Sequence, residues 1–184
     1  MTSRATPQVT TRTATPADAA CLASLAATAF SDTFGADNTS ADLAMYMAKS
    51  FSDDIQRGEL ADARHTVFFA EREGEVVGYA MLRHGPPRDD IQIAEAIEIA
   101  RLYAAKQWIG AGIGATLMQR CLDEATALGL STIWLAVWEH NARAIAFYQR
   151  WGFADAGTTT FMLGHDRQTD RVMSRRVAVV VADE

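Results

Sequence analysis

The sequence predicts a mixed α/β fold built around one sheet. Three observations predict it. Short β-branched or apolar segments read as strands, the stretches between them space apolar residues as helices do, and Gly110, Gly112 and Gly114 mark a strand-to-helix turn. In chain order the elements are strand, helices, hairpin, strand, helix, strand, helix and two closing strands. That order fits neither eight repeated βα units nor a sandwich.

Residues 1–7 are polar and are expected to fray, which leaves 8–184 as a single domain. Residues 9–15 alternate β-branched side chains and predict the first strand. Pro16 after Thr15 marks a helix start, and 17–30 carries apolar residues at helical spacing. A second helical region is predicted over 40–60, with Leu43, Tyr46, Met47, Ser50 and Phe51 on one side. Residues 66–71 and 76–83 predict a hairpin around Arg72-Glu73-Gly74-Glu75. A loop over 85–90 precedes the strand 96–104 that feeds the glycine turn. The helix after the turn places Leu117, Met118, Cys121, Leu122, Ala125 and Leu128 on one face and stops at Gly129. Residues 132–137, almost wholly apolar, suit a central strand covered on both faces. A helix over 140–151 ends at Gly152, and 158–163 with 171–181 complete about seven strands against about four helices.

Composition narrows the function classes. With 49% apolar and 22% charged residues the chain has the makings of a core and not the signature of disorder. A net charge of −6 argues against binding nucleic acid as a main function and fits a cationic substrate as well as an ordinary acidic surface. Cys21 and Cys121 fall in predicted helices with no neighbour at metal spacing, and His65, His84, His140 and His165 form no ligand cluster, so no metal is expected. No signal segment and no membrane-length apolar run is present, so the expectation is a soluble cytoplasmic protein with no membrane partner.

The glycine turn, Ile109-Gly110-Ala111-Gly112-Ile113-Gly114-Ala115, immediately opens an amphipathic helix. Glycine permits left-handed backbone and close approach of a ligand, and the first N–H groups of a helix have no internal partner. A phosphate cradle is therefore the functional reading, beside the plainer one of a turn between strand and helix. A P-loop is excluded because Ala115-Thr116-Leu117 replaces its Lys-Ser/Thr. A dinucleotide fingerprint is excluded because its third glycine is missing and 128–136 holds no acid.

A second signature follows in Asn141-Ala-Arg-Ala-Ile-Ala-Phe-Tyr148-Gln-Arg-Trp-Gly-Phe153. Taken alone, Asn141 is a good helix cap, and Ile145, Tyr148 and Trp151 could be core contacts. Together, the cradle and this segment about 30 residues later resemble the GCN5-related N-acetyltransferase (GNAT) superfamily, over nearly the whole chain. The resemblance implies a central, mostly antiparallel twisted sheet, and acetyl-coenzyme A as co-substrate with its pyrophosphate on the cradle main chain. The cradle pattern Gln/Arg-x-x-Gly-x-Gly/Ala maps onto Ile109, Gly112 and Gly114, with Ile109 departing from the usual first residue. Thr33-Phe-Gly35 with Asn38, Arg101-Leu-Tyr103, Trp138-Glu-His-Asn141, Phe161-x-Leu-Gly164 and Gln168-Thr-Asp170 look closest to the bacterial spermidine/spermine (polyamine) branch.

What the resemblance implies for chemistry is direct attack of a neutral amine on the acetyl thioester. Leu102, Tyr103 and Ala104 would pair with the pantetheine arm and supply an oxyanion donor, and Asn141 would contact that arm. Tyr148 occupies the general-acid position, and a phenol is protonated at neutral pH. Glu98 is the candidate base; four residues before Leu102, it is expected on the same strand face, and a solvated or ion-paired carboxylate is its plainer reading. Glu139 is the alternative base and a candidate contact for a substrate cation, with Phe34 and Asp170 the other candidate substrate residues. The acceptor is expected to be a polyamine or other small amine. The alternatives are a peptide or protein N-terminus or lysine, and a non-catalytic acetyl-coenzyme A-binding regulator. A homodimer is the assembly the resemblance suggests.

Overall fold

The structure, a computed structural model, describes residues 8–87, 91 and 93–178. Its seven strands are β1 (Thr10–Thr13), β2 (His65–Arg72), β3 (Glu75–Arg83), β4 (Ala96–Ala104), β5 (Thr132–Trp138), β6 (Ala154–Leu163) and β7 (Asp166–Arg176). They form one sheet in the order β1-β2-β3-β4-β5-β7-β6. Every pairing is antiparallel except β4 with β5. The expected fraying falls on residues 1–7, and the end of the expected last strand on 179–181, both outside the described residues.

Helices cover both faces. On one side α4 (Ile113–Ala127) and α5 (Ala142–Arg150) pack Leu117, Met118, Cys121, Ile145 and Tyr148 against Phe68, Ala80, Ile97, Ile133 and Leu135. On the other, α1 (Ala19–Phe34) and α2 (Ser40–Ser50), with α3 (Asp53–Ala61) beside them, set Leu22, Phe30 and Tyr46 over Val67, Phe69, Tyr79 and Met81. Consecutive residues of β2 therefore enter opposite cores, which is why Val67, Phe68, Phe69 and Ala70 are all buried.

Local chemistry explains most boundaries. The β2–β3 hairpin turns on Glu73 and Gly74, both at positive φ (54° and 84°), the backbone that a two-residue connection requires. The expected single helix over 40–60 is two helices, giving five α-helices among the described residues. Phe51 turns into the core, and the Ser52 hydroxyl accepts from the Ile55 N–H (3.3 Å), so a new N-cap interrupts the apolar periodicity. The first helix starts later than expected because Pro16–Asp18 forms a 3-10 turn; Asp18 there accepts from the Thr15 N–H (2.8 Å) and binds Arg12 of β1. β7 begins five residues earlier than its apolar run suggests, directly after the turn at Gly164 and His165. Among the described residues no helix is long and apolar enough to cross a membrane, and no group of three or more His, Cys, Asp or Glu is placed to hold a metal ion.

Candidate active site

β4 and β5 pair only from Ala96–Glu98 to Thr132–Trp134, although β4 runs on to Ala104 and β5 to Trp138. Beyond Glu98 the two parallel strands part and leave a fork in the middle of the sheet. Ala105 donates its N–H to Val77 O (2.9 Å) on the β3 side, and the Tyr103 carbonyl points at Gly78 of β3 as well. Alternation along the strand therefore turns the N–H and C=O groups of Leu102 and Ala104 into the fork. An extended chain lying there would find a strand edge waiting for main-chain hydrogen bonds.

The fork leads directly to the glycine turn. Gly110 and Gly112 both lie at positive φ (86° and 87°), and an added Cβ on either would meet nothing within 4 Å. The space over the turn is open. Ile109 and Ala111 spend their N–H groups on Lys106 O and Trp108 O, while the first internal bond of α4 runs from Thr116 N–H to Gly112 O (3.0 Å). The N–H groups of Ile113, Gly114 and Ala115 thus precede the helical ladder and are oriented for an anion, with the helix dipole behind them. Ile109 carries its side chain outward, 44% exposed. A diphosphate fits this site: open space, left-handed glycines and free main-chain donors at a helix N-terminus.

Gly114 ties the parts together. A Cβ there would touch Phe147 (3.5 Å) of α5 and Leu102 (4.0 Å) of β4, so cradle, fork and α5 meet at one point. The next residue on α5, Tyr148, is buried between Phe147 (ring centroids 5.5 Å) and Phe153 (5.9 Å). Burial, and then the nearby Cys121, push its phenol well above the ordinary tyrosine range, so it stays protonated at neutral pH. Asn141 caps α5, its side-chain oxygen accepting from the Ala144 N–H (3.1 Å), so its capping role is what the geometry displays.

Glu98 is not on the face expected of it. The β3–β4 register pairs Arg83 with Glu98 and Leu82 with Ile99, then Met81 with Arg101 and Ala80 with Leu102, which leaves Ala100 as the extra residue of a bulge. The bulge resets the alternation, so Glu98 shares its face with Arg101 and Tyr103, not with Leu102. It stands at the apex of the fork, on the side of α1–α3, where Arg83 donates to its carboxylate (2.7 Å). The face opposite α4 and α5 is thus the one that carries Glu98 at the fork.

That face is aromatic. Phe34 of α1 lies edge-on to Trp138 (6.0 Å), which is the register partner of Asp170, and Glu139 follows at the rim, bonded through its N–H to Thr169 O (3.2 Å). Phe34 and Asp170 are thus brought to Trp138, Asp170 beside it on the sheet and Phe34 above, while Glu139 follows in the turn after β5. Tyr46 continues the cluster, stacked on Phe30 (4.6 Å) and edge-on to Phe161 (5.2 Å). Two positions escape sequence reasoning. Trp138 reads there as part of a motif and not as a wall of the site, and Gly78 is simply one residue of the strand 76–83. A Cβ on Gly78 would lie 2.7 Å from Ile113 Cγ2 and 2.8 Å from the Tyr103 carbonyl, so its bareness lets the first turn of α4 sit on the sheet. A cleft of about 520 Å³ bounded by Pro86, Ile93, Leu128 and Leu130 lies beside Ala96, at the closed end of β4, away from this chemistry.

The sequence profile of the acetyltransferase (GNAT) family matches residues 28–153. An uncharacterized N-acetyltransferase of Lactobacillus delbrueckii subsp. lactis is 34% identical over 146 residues, 79% of this chain and 84% of that protein. The spermine/spermidine N(1)-acetyltransferase of Bacillus subtilis (strain 168) is 29% identical over 90 residues, 48% of this chain and 59% of that protein. Among solved structures, the PaiA N-acetyltransferase of Thermoplasma acidophilum in complex with coenzyme A superposes with a TM-score of 0.76 at 18% identity, covering 92% of this chain and 99% of that one.

Proposed function

The chain belongs to the acetyltransferase (GNAT) family, and from that premise we propose that it moves an acetyl group from acetyl-coenzyme A to the primary amine of a small molecule, a polyamine being the first candidate. The observation that supports this reading is that Gly114 lies beside both Phe147 and Leu102, where a Cβ would touch each, so the glycine turn, the strand edge and α5 meet around one point. Acetyl-coenzyme A supplies an activated thioester and a thiol leaving group. The chain's own residues do the rest. Gly112, Ile113, Gly114 and Ala115 hold the diphosphate by main-chain donors, with Gly110 opening the turn and Ile109 and Ala111 shaping it. Leu102 and Ala104 offer main-chain groups to the arm, one of them a donor to the thioester oxygen; positioning of this kind can supply roughly 7–11 kcal/mol. Tyr103 lines the acceptor side of the same strand. Tyr148 donates the proton that the leaving sulfur takes up, and Asn141 fixes the start of its helix. Glu98, at the fork apex, is the base for the ammonium proton, with Glu139 the alternative.

Polyamine recognition has two supports: the similarity to the Bacillus spermine/spermidine enzyme, and Glu139 and Asp170 beside Phe34 and Trp138, where a cation meets both charge and ring faces. The same reading takes residues 8–184 as one acetyltransferase domain acting as a cytoplasmic homodimer, with the two free cysteines as support for the compartment. A thiol-release assay with polyamines, aminoglycosides, amino acids and peptides tests it, and sedimentation tests the assembly. Turnover confined to peptides would shift the acceptor to a protein N-terminus or lysine. Coenzyme A binding with no turnover on any amine would leave a non-catalytic regulator.

A further inference from the structure

The bulge at Ala100 coincides with the start of the fork, and something must hold it. An inserted residue can be relieved if the strand beyond it slips by one position, and a one-residue slip turns every side chain and every backbone group to the other side. Here a slip would turn the Leu102 and Ala104 N–H groups out of the fork and toward β3.

Arg101, the residue after the bulge, is fixed from the α1–α3 side. Its guanidinium donates twice to Glu59 of α3, at 2.7 and 3.0 Å, and reaches Gln56 Oε1 at 3.4 Å. It also lies over the Phe51 ring at 5.4 Å. Gln56 is fully buried and donates to Ser50 O (2.7 Å), so the contact extends to the corner where α2 meets α3. Only 14% of the Arg101 side chain and 20% of the Glu59 side chain is exposed. A largely buried, bidentate pair is a costly way to gain stability and a good way to specify register, because any slip strands one charge without the other.

We infer that the Arg101–Glu59 pair is a register clamp that keeps the β4 bulge in place, making Arg101 and Glu59 positioning residues for the main-chain donors of the fork. The inference rests on the acetyltransferase reading for its catalytic consequence, but the clamp itself is a property of the ligand-free protein.

Glu59→Gln, Arg101→Lys and Glu59→Asp separate the possibilities. In hydrogen–deuterium exchange on the coenzyme-free protein, Glu59→Gln raises exchange of the segment 99–105 by about tenfold or more while the middle of β2 and of α4 keep wild-type protection. With a turned-over amine, kcat falls by about tenfold or more, since small misplacements of donors are costly, and coenzyme A binding weakens with it because the same Leu102 and Ala104 groups meet the arm. Glu59→Asp, which keeps the carboxylate, recovers most of both. Arg101→Lys makes the same comparison should Glu59→Gln not fold. Unchanged exchange over 99–105 in a folded variant overturns the clamp, as does exchange that rises uniformly across the sheet. If the wild type turns over no amine, the exchange pattern still decides the clamp while the proposed function fails.

Discussion

Tyr148 can give a proton but cannot readily keep the charge left behind, because its phenol is buried among Phe147 and Phe153 and burial raises its pKa. Tyr148→Phe keeps the ring and its packing and removes the donor. The expected result is a fall in kcat of about 100-fold, in line with general-acid contributions, with coenzyme A affinity by calorimetry within about twofold of wild type. An unchanged kcat with chemistry rate-limiting would remove Tyr148 from the mechanism. At this scale the sequence is legible where a residue's environment is local: the Asn141 cap and the cradle glycines follow from neighbours along the chain. The face of Glu98 is not legible, for the opposite reason. Its face depends on Ala100, an ordinary residue in an apolar-rich strand whose status as a bulge is set by the register of β3.

The α4 N-terminus is placed by what lies under it as much as by its own glycines. Gly78→Ala puts a methyl within 2.7 Å of Ile113 Cγ2 and 2.8 Å of the Tyr103 carbonyl. The expected outcome is a loss of about 1–3 kcal/mol in denaturant unfolding, as for other overpacked cores, together with weaker coenzyme A binding as the first turn of α4 is lifted. Normal affinity in this variant would show that the cradle tolerates the shift. A second element-scale tie joins β1 to the start of α1, where Arg12 binds Asp18 (2.8 Å) and Glu71 (2.7 Å). The Arg12 hydrogen bond, first among several causes, holds the Asp18 carboxyl well below the usual range. A folded-state pKa that is depressed contributes stability above the unfolded value, about 4, and loses it as pH falls below that. The Tm difference between wild type and Asp18→Asn should therefore be full at pH 7 and close as pH drops from about 4 toward 2. Elements with strong periodicity, such as β4 and α4, are readable from the chain. The division of 40–60 into α2 and α3 is not, because the side-chain oxygen of Ser52 outweighs an apolar spacing that continues across it.

At the scale of the molecule, the fork is bridged by packing and not by strand pairing. Ile113 and Leu117 of α4 share one core with Ile133, Leu135 and Val137 of β5 and Met173 of β7. Urea unfolding should accordingly be a single transition, coincident by tryptophan fluorescence and far-ultraviolet circular dichroism. Two separated transitions would refute the reading of 8–184 as one domain. The sheet order itself was beyond the sequence, since β7 inserts between β5 and β6 through contacts distant along the chain. The fork also divides what selection can change easily from what it cannot. On one side of β4 the groups offered are main-chain N–H and C=O, present whatever the codon, so under the proposed function most point changes there would leave donor recognition standing. On the other side stand Phe34, Glu98, Trp138, Glu139 and Asp170, each replaceable by a single mutation. Under the proposed function, a lineage built on this strand can drift from one acceptor to another while its acetyl donor stays the same.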